Sequence, residues 1–290
     1  MISPNPTYLI ELFQRSLRVP ISSITSVGGG SINQAFKLTA VTGELFFCKV
    51  NSSTRFPFMF QKEVNGLESL AATKTIRVPK TLFCDITNQQ QVLVMEWIAP
   101  GKPADSFWKT FGMQLAALHH VNKNKFGFNE DNYMGSIEQK NVWHEKWIDF
   151  FREQRLIPQV KMAIDKAMLS KSHAGRFEKL YQKLEEIFSP ESPCVVHGDL
   201  WSGNFLCSES GEPILIDPAV HYGNRHSDLA MTTLFGGFEK EFYTSYSYYY
   251  PLPPDAARQW RICNLYPLLI HLNLFGKSYL PDIIGTIDAY

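Results

Sequence analysis

The hydrophobic pattern changes near residue 100, and this change limits the chain to folds with two unlike parts. From residue 21 to 96, short apolar runs alternate with turn residues, as in β-strands, and a helical pattern interrupts them after Pro57. The segment Ala99–Pro103 holds two prolines and a glycine, which break regular structure. Later apolar residues recur mostly at helical spacing. The pattern predicts an α+β protein with a small β-rich N-terminal lobe, residues 1–99, and a larger, mainly helical C-terminal lobe, residues 100–290.

Several elements can be placed individually within these lobes. Apolar spacing predicts helices that start at Asn5-Pro6, after Pro57 and at Phe107, and longer helical stretches in the second lobe. Five tyrosines among eight residues near position 246 are interpreted as packing aromatics in preference to sugar-stacking residues. His119 and His120 are interpreted as a C-terminal cap in preference to metal ligands. The strands are expected at Ala35–Thr39, Leu45–Val50, Lys80–Cys84 and Gln91–Glu96, and the long helical stretches at Asn141–Leu169, Ser172–Phe188 and Pro254–Phe275.

Composition excludes some classes of protein. The 290 residues carry 28 basic and 28 acidic side chains, so the chain lacks the excess positive charge expected of a protein whose main partner is nucleic acid or an anionic membrane. A local charged cleft remains compatible with this balance. No apolar run is long enough to span a bilayer and no secretion signal is visible, which favours a cytoplasmic location. The five cysteines are widely spaced and lack the pattern of a zinc site.

The segment from Val195 to Asn204 carries the strongest chemical signal. Asp199 and Asn204 follow one apolar run with a spacing of five residues, and Asp217 ends another apolar run. Phosphoryl transfer needs a carboxylate that accepts the proton of the attacking hydroxyl, and oxygen ligands that hold Mg²⁺ on the nucleotide phosphates. A turn with an Asx cap explains the tripeptide His-Gly-Asp alone, but the spaced Asn and the later Asp favour a kinase catalytic loop.

A lysine and a glutamate upstream fit the same chemistry. Lys49 lies on an apolar strand, fourteen residues before Glu63 on the next predicted helix. A buried cation needs a partner, and a lysine paired with a helix glutamate can reach the nucleotide phosphates. The alternative is a surface lysine on the strand with an unrelated glutamate.

Two backbone segments are candidates for binding the nucleotide. The glycine-rich turn lacks three Cβ atoms and so permits close approach of a phosphate, although its spacing matches neither common phosphate-loop motif. A flexible turn is the alternative. The strand that runs into the linker could bind an adenine edge through its backbone, or be a plain edge strand. The residues concerned are Gly28, Gly29, Gly30, Ser31, Ile32 and Asn33 in the turn, and Glu96, Trp97, Ile98 and Ala99 at the linker.

Taken together, these residues resemble the fructosamine/ketosamine kinase family, whose members are relatives of aminoglycoside phosphotransferases with a protein-kinase-like fold. The resemblance runs nearly end to end, and Trp201 and Asp217-Pro218-Ala219 look more like this family than like aminoglycoside kinases or protein kinases generally. The other segments that carry it are Gly28–Asn33, Phe60–Leu67, Phe126–Phe128, Phe150–Leu156, His197–Asn204 and Asp228–Met231.

The resemblance implies ATP-dependent phosphorylation of a sugar hydroxyl on a ketoamine, either a small molecule or a glycated protein, as in deglycation repair. It implies that Asp199 accepts the proton, that Asn204 and Asp217 bind Mg²⁺, and that Asp228 braces the catalytic loop. Lys49 and Glu63 would anchor the phosphates, residues 96–99 would bind adenine, and Trp201 would stack on the sugar or serve as a core residue.

Two other functions stay open at this stage. The substrate could be another small hydroxyl compound, such as an aminoglycoside, a choline-like alcohol or a free sugar, or the protein could bind nucleotide without catalysis.

Gly198 stands where protein kinases have the arginine of His-Arg-Asp. We therefore expect activity without phosphorylation of an activation loop.

Overall fold

The first lobe is built on an antiparallel sheet. The computed structural model describes residues 6–28, 32–87 and 89–290, so Asn5, Gly29, Gly30 and Ser31 lie outside the described residues. The elements of this lobe are α1 (Pro6–Leu17), β1 (Ile21–Val27), β2 (Gln34–Ala40), β3 (Leu45–Ser52), α2 (Met59–Thr73), β4 (Thr81–Thr87) and β5 (Gln90–Glu96). The strand order in the sheet is β1-β2-β3-β5-β4.

The two faces of this sheet pack against different helices. Cys48 and Val50 of β3 share one buried cluster with Leu12 and Phe13 of α1. Because side chains alternate along a strand, Lys49 points to the opposite face. On that face Leu93, its partner in β5, packs against the apolar stripe of α2. The alternation therefore places the ammonium of Lys49 between the sheet and α2.

The second lobe is mainly helical, with short strands around the site. No helix in the part of the chain that the structure describes is both long and apolar enough to cross a membrane. Its elements are α3 (Phe107–His119), β6 (Asn132–Met134), β7 (Ile137–Gln139), α4 (Trp147–Phe150), a π-helical segment (Phe151–Leu156), α5 (Ile157–Asp165), α6 (Lys171–Tyr181), α7 (Leu184–Ile187), β8 (Cys194–Val196), β9 (Phe205–Cys207), β10 (Pro213–Leu215), β11 (His221–Gly223), α8 (His226–Met231), α9 (Lys240–Tyr249), α10 (Ala256–Cys263), α11 (Leu265–Phe275), a 3₁₀ turn (Lys277–Tyr279) and α12 (Leu280–Ile287).

The structure confirms most of the expected elements and corrects the first long helical stretch. The helical stretch expected from Asn141 begins only at Trp147. Residues 141–146 are irregular because His144 bridges to Phe126 and the backbone N–H of Asn141 donates to Asp131. The π-helical segment interrupts the remaining stretch.

Helix α3 ends at His119 and His120 is its C-cap residue, as expected, but the side chain of His119 binds other groups. Its imidazole is fully buried, with Nδ1 2.8 Å from the hydroxyl of Tyr246 and Nε2 3.2 Å from the carboxylate of Asp228. Tyr246 lies on α9, and Tyr250 beyond it stacks on His120. The interpretation as packing aromatics is confirmed for Tyr246 and Tyr250, while Tyr248 at 80% and Tyr249 at 45% exposure are the exceptions.

Candidate active site

A cavity of ≈ 230 Å³ lies between the sheet lobe and the helical lobe. It collects side chains from segments far apart in the sequence, which folding brings within reach of a single ligand. The predicted residues that line it are Ile32, Asn33, Lys49, Glu63, Asp199, Trp201, Asn204 and Asp217. The predicted catalytic and metal-binding side chains thus share one cleft.

Lys49 is the cation at the centre of the cleft. Its Nζ lies 2.7 Å from Glu63 Oε1 and 2.5 Å from Asp217 Oδ1. Burial alone would lower the pKa of Lys49, but the charges of Asp217 and Glu63 outweigh burial and raise it. Burial also raises the pKa of Glu63, against the opposing effect of Lys49. The lysine therefore stays protonated, as a phosphate-binding ammonium must.

Asp199 is the third residue after β8, on the turn that carries the expected catalytic loop. Asn204 Nδ2 donates to the backbone oxygen of Asp199 at 2.8 Å and to its Oδ2 at 2.9 Å. The two residues at the predicted five-residue spacing are therefore in direct contact. Burial raises the pKa of Asp199 to about 7; Asp217 and Asp228 act in the same direction, and the hydrogen bond from Asn204 opposes them. A carboxylate with this pKa is suited to accepting a proton near neutral pH.

Asp217 has an unusual backbone conformation. Its φ is +55°, in the left-handed region, and it precedes Pro218, which makes this conformation costly. Flanking backbone hydrogen bonds hold the segment. The N–H of Ile216 donates to the backbone carbonyl of Asn204 at 3.1 Å, and the N–H of Ala219 donates to the backbone carbonyl of His197 at 2.9 Å. The side chain is 44% exposed and faces the cleft.

Asp228 braces the catalytic loop, as expected. Its carboxylate accepts the backbone N–H of His197 at 2.6 Å and that of Gly198 at 2.8 Å. The imidazole of His197 adds a contact from its Nε2 to the carbonyl of Ile216 at 2.9 Å. Asp228 therefore fixes the turn before Asp199, and His197 ties that turn to the residue before Asp217.

The donor set fits a magnesium ion. Asn204 directs its amide nitrogen to Asp199, and no described residue donates a hydrogen bond to its amide oxygen, so this oxygen is available to a cation. Asp217 exposes its carboxylate to the same cavity. These are hard oxygen ligands of the kind Mg²⁺ prefers. The described residues contain no group of three or more His, Cys, Asp or Glu side chains able to form an all-protein metal cage. Mg²⁺ bound to a nucleotide needs only one or two protein ligands.

The remaining candidates for nucleotide binding line two different cavities. Ile32 and Asn33 line the cleft, and Asn33 Oδ1 accepts a hydrogen bond from Asn51 at 2.8 Å. Gly28 follows β1 at the edge of the turn. Trp97, Ile98 and Ala99 line a neighbouring cavity, together with Arg77 and residues 208–210. The carboxylate of Glu96 pairs with Arg77 at 3.2 Å and accepts the backbone N–H of Lys80 at 3.1 Å.

Trp201 is half-buried at the cleft and also packs against the helical core. Its ring meets Phe235 edge-on, with 5.8 Å between centroids. The ring lies over Gly203, where an added Cβ would approach it to 2.4 Å. The orientation of Trp201 therefore depends on the absence of a side chain at position 203.

A hairpin that the sequence reasoning missed forms another wall of the cleft. Its strands β6 and β7 place Tyr133, Met134 and Gly135 in the cavity lining. Asn132 donates to the carbonyl of Val220 at 2.8 Å, which joins the hairpin to the segment after Asp217. Strands of three residues are too short to show a period-two pattern, so the sequence offers no clear signal for them.

The fold and the grouped side chains define the class of the protein as a phosphotransferase of the kinase-like fold. The family model described as fructosamine kinase matches residues 8–290. The chain therefore belongs to the fructosamine kinase family, and the resemblance noted in the sequence is confirmed.

Individual relatives agree with this assignment. The chain is 41% identical over 256 residues to a protein named probable ketoamine kinase from Synechocystis, with 88% of this chain and 85% of that protein covered. It is 36% identical to the chloroplastic protein-ribulosamine 3-kinase of Arabidopsis thaliana, with 93% of this chain and 83% of the other covered.

Solved structures support the same fold. A candidate fructosamine-3-kinase from Thermobifida fusca superposes with a TM-score of 0.88 at 27% identity, covering 98% of this chain and 99% of that one. A macrolide 2′-phosphotransferase from Brachybacterium faecium, at a TM-score of 0.63 and 13% identity with 98% of each chain covered, shows likeness of fold alone.

Proposed function

We propose that this kinase transfers the γ-phosphoryl group of ATP to a sugar hydroxyl of a ketoamine, such as a fructosamine or ribulosamine, free or on a protein lysine. The observation that carries the proposal is the meeting of Lys49, Glu63, Asp199, Asn204 and Asp217 in one cleft. Membership of the fructosamine kinase family supports a ketoamine as the acceptor. Such a reaction is the first step of a deglycation repair.

The residues divide the chemistry as follows. The phosphorus–oxygen bond to ADP breaks as a new bond to the acceptor oxygen forms, and Asp199 takes the hydroxyl proton. Lys49, held by Glu63, binds the phosphates. Asn204 and Asp217 would hold Mg²⁺, which when bound neutralises developing charge on the phosphoryl oxygens.

The less central assignments belong to the same proposal. The turn Gly28–Asn33 would cover the phosphates, and the backbone of residues 96–99 would bind adenine. Trp201 would stack on the apolar C–H face of the sugar, since its ring lines the cleft. The sheet lobe, residues 1–99, would then serve mainly ATP, and residues 100–290 the acceptor.

A cytoplasmic location fits the proposal. All five cysteines are free thiols, as expected in a reducing compartment. The balanced charge gives no support for nucleic acid or an anionic membrane as a partner.

A panel of acceptors with ATP and Mg²⁺ tests the function. Fructosamines and ribulosamines should be phosphorylated, while aminoglycosides, choline-like alcohols and free sugars should not. Asp199→Asn should lower kcat by about 10²–10⁴-fold because it removes the proton acceptor, and ATP should still bind. Turnover of an aminoglycoside or a free sugar in preference to every ketoamine would replace the proposal with the alternative substrate class. ATP binding with no acceptor turned over would leave a nucleotide-binding protein.

A further inference from the structure

Lys62 is a second lysine in the cleft, and the function proposed above gives it no role. It lines the cavity from helix α2 and its side chain is only 16% exposed. Successive residues of a helix are rotated by about 100°, so Lys62 leaves the helix in a different direction from its neighbour Glu63. Its ammonium lies 5.3 Å from the centroid of the Tyr133 ring, on the β6–β7 hairpin.

The ammonium of Lys62 has no hydrogen-bond acceptor among the residues that the structure describes. Glu138 is the one described carboxylate within 4.0 Å, at that limiting distance. Glu138 lies closer to Lys140, at 3.2 Å, and Lys140 also pairs with Asp131 at 2.8 Å. A lysine ammonium carries three donors, and leaving them unpaired away from water costs free energy. Lys62 is therefore a cation available to a ligand in the cleft.

Lys62 lines the same cavity as Asp199 and Trp201, the two side chains assigned to the acceptor. Asp199 takes the proton of the acceptor hydroxyl in the proposed function, so the acceptor must lie beside Asp199 and Trp201. The hairpin residues near Lys62 line the same cavity as these two side chains. Lys49, which would serve the nucleotide, is instead occupied by two carboxylates.

We propose that Lys62 binds a carboxylate on the amine portion of the acceptor. This inference rests on the proposed function and narrows its substrate to ketoamines formed on the α-amine of an amino acid whose carboxylate is free. That carboxylate is two bonds from the ketoamine nitrogen, so it enters the cleft with the sugar. A single lysine matches its single charge. A dianionic phosphate beside Asp199, Asp217 and ATP would be poorly compensated by one lysine.

Matched acceptors test the inference. The fructose ketoamines of glycine and of glycinamide differ only in the carboxylate and its neutral amide. For the unaltered enzyme, kcat/KM should be about tenfold higher for the glycine derivative, as expected for one charge-assisted hydrogen bond. In Lys62→Met this ratio should fall close to one, and Lys62→Arg should restore part of it. Lys179→Met, the same change on the surface of α6, should keep the full ratio.

Three results would overturn the inference. The ratio could be near one in the unaltered enzyme, or Lys62→Met could preserve it. The KM for ATP could instead rise in Lys62→Met with the ratio intact, which would assign Lys62 to the nucleotide. Turnover of neither ketoamine by the unaltered enzyme is a different outcome, because it removes the proposed function and this inference together.

Discussion

Replacement of Asp228 by asparagine tests whether one buried carboxylate holds the catalytic turn. Asp228 Oδ1 accepts the N–H of Gly198 at 2.8 Å. Oδ2 accepts the N–H of His197 at 2.6 Å and lies 3.2 Å from Nε2 of His119. An asparagine has one carbonyl oxygen, so in either orientation an amide nitrogen faces at least one of these donors.

The expected cost follows from that count. One buried backbone N–H without an acceptor costs about 1–3 kcal/mol, and loss of charge from the remaining bond adds about 1 kcal/mol. We expect Asp228→Asn to lower the free energy of unfolding by about 2–4 kcal/mol, or Tm by roughly 3–7 °C. Because Gly198 adjoins Asp199, a shift of about 1 Å in the turn should also lower kcat about 10²-fold.

Urea denaturation and thermal melting measure the stability term, and a coupled ADP assay measures kcat. Asp282→Asn, an exposed aspartate in the first turn of α12, is the matched control and should change stability by less than about 0.5 kcal/mol.

Burial would raise the pKa of Asp228, but hydrogen bonds from His119 and the loop N–H groups lower it. The stabilisation is therefore full above the unfolded pKa of about 4 and is lost as pH falls further. Equal stability of Asp228→Asn and the unaltered protein at pH 7 would refute this reasoning.

Two further changes probe other parts of the structure. Burial would raise the pKa of Glu191, but His226 and Arg225, which lies at 2.7 Å, hold it at about 2. After allowance for partial exposure, Glu191→Gln should cost about 1–2 kcal/mol at pH 7. In urea titrations this difference should shrink between about pH 4.5 and 2, and a constant difference would argue against the assignment. Gly203→Ala should displace the Trp201 ring, since the new Cβ would lie 2.4 Å from it. The KM for ketoamine should then rise several-fold more than the KM for ATP; equal changes would oppose a substrate role for Trp201.

Local sequence patterns predicted the elements in which periodic hydrophobic spacing extends over several residues. Strands β2, β3 and β5 and helix α2 are long enough for period-two or helical spacing to show. The turn from Asp199 to Asn204 was predictable because its hydrogen bonds are local, within five residues. The pairing of Lys49 with Glu63 could be anticipated from strand and helix positions.

Contacts that depend on tertiary packing were not predictable in this way. His119 and Asp228 are 109 residues apart, and no local pattern joins them. For the same reason, the sequence did not predict that the β6–β7 hairpin lines the cleft. It also hid Lys62, whose relation to Tyr133 appears only once α2 meets that hairpin.

The unpredicted hairpin also explains how a predicted residue keeps a costly conformation. A left-handed backbone at Asp217, before a proline, costs about 1–3 kcal/mol and persists only where its surroundings fix it. Gln139 donates to the carbonyl of Ala219 at 3.3 Å and to the side chain of Asn132 at 2.8 Å, while Asn132 donates to Val220 at 2.8 Å. On the other side, the carbonyl before Asp217 contacts the His197 imidazole. Hydrogen bonds on both flanks thus help to hold the proposed metal ligand in this conformation.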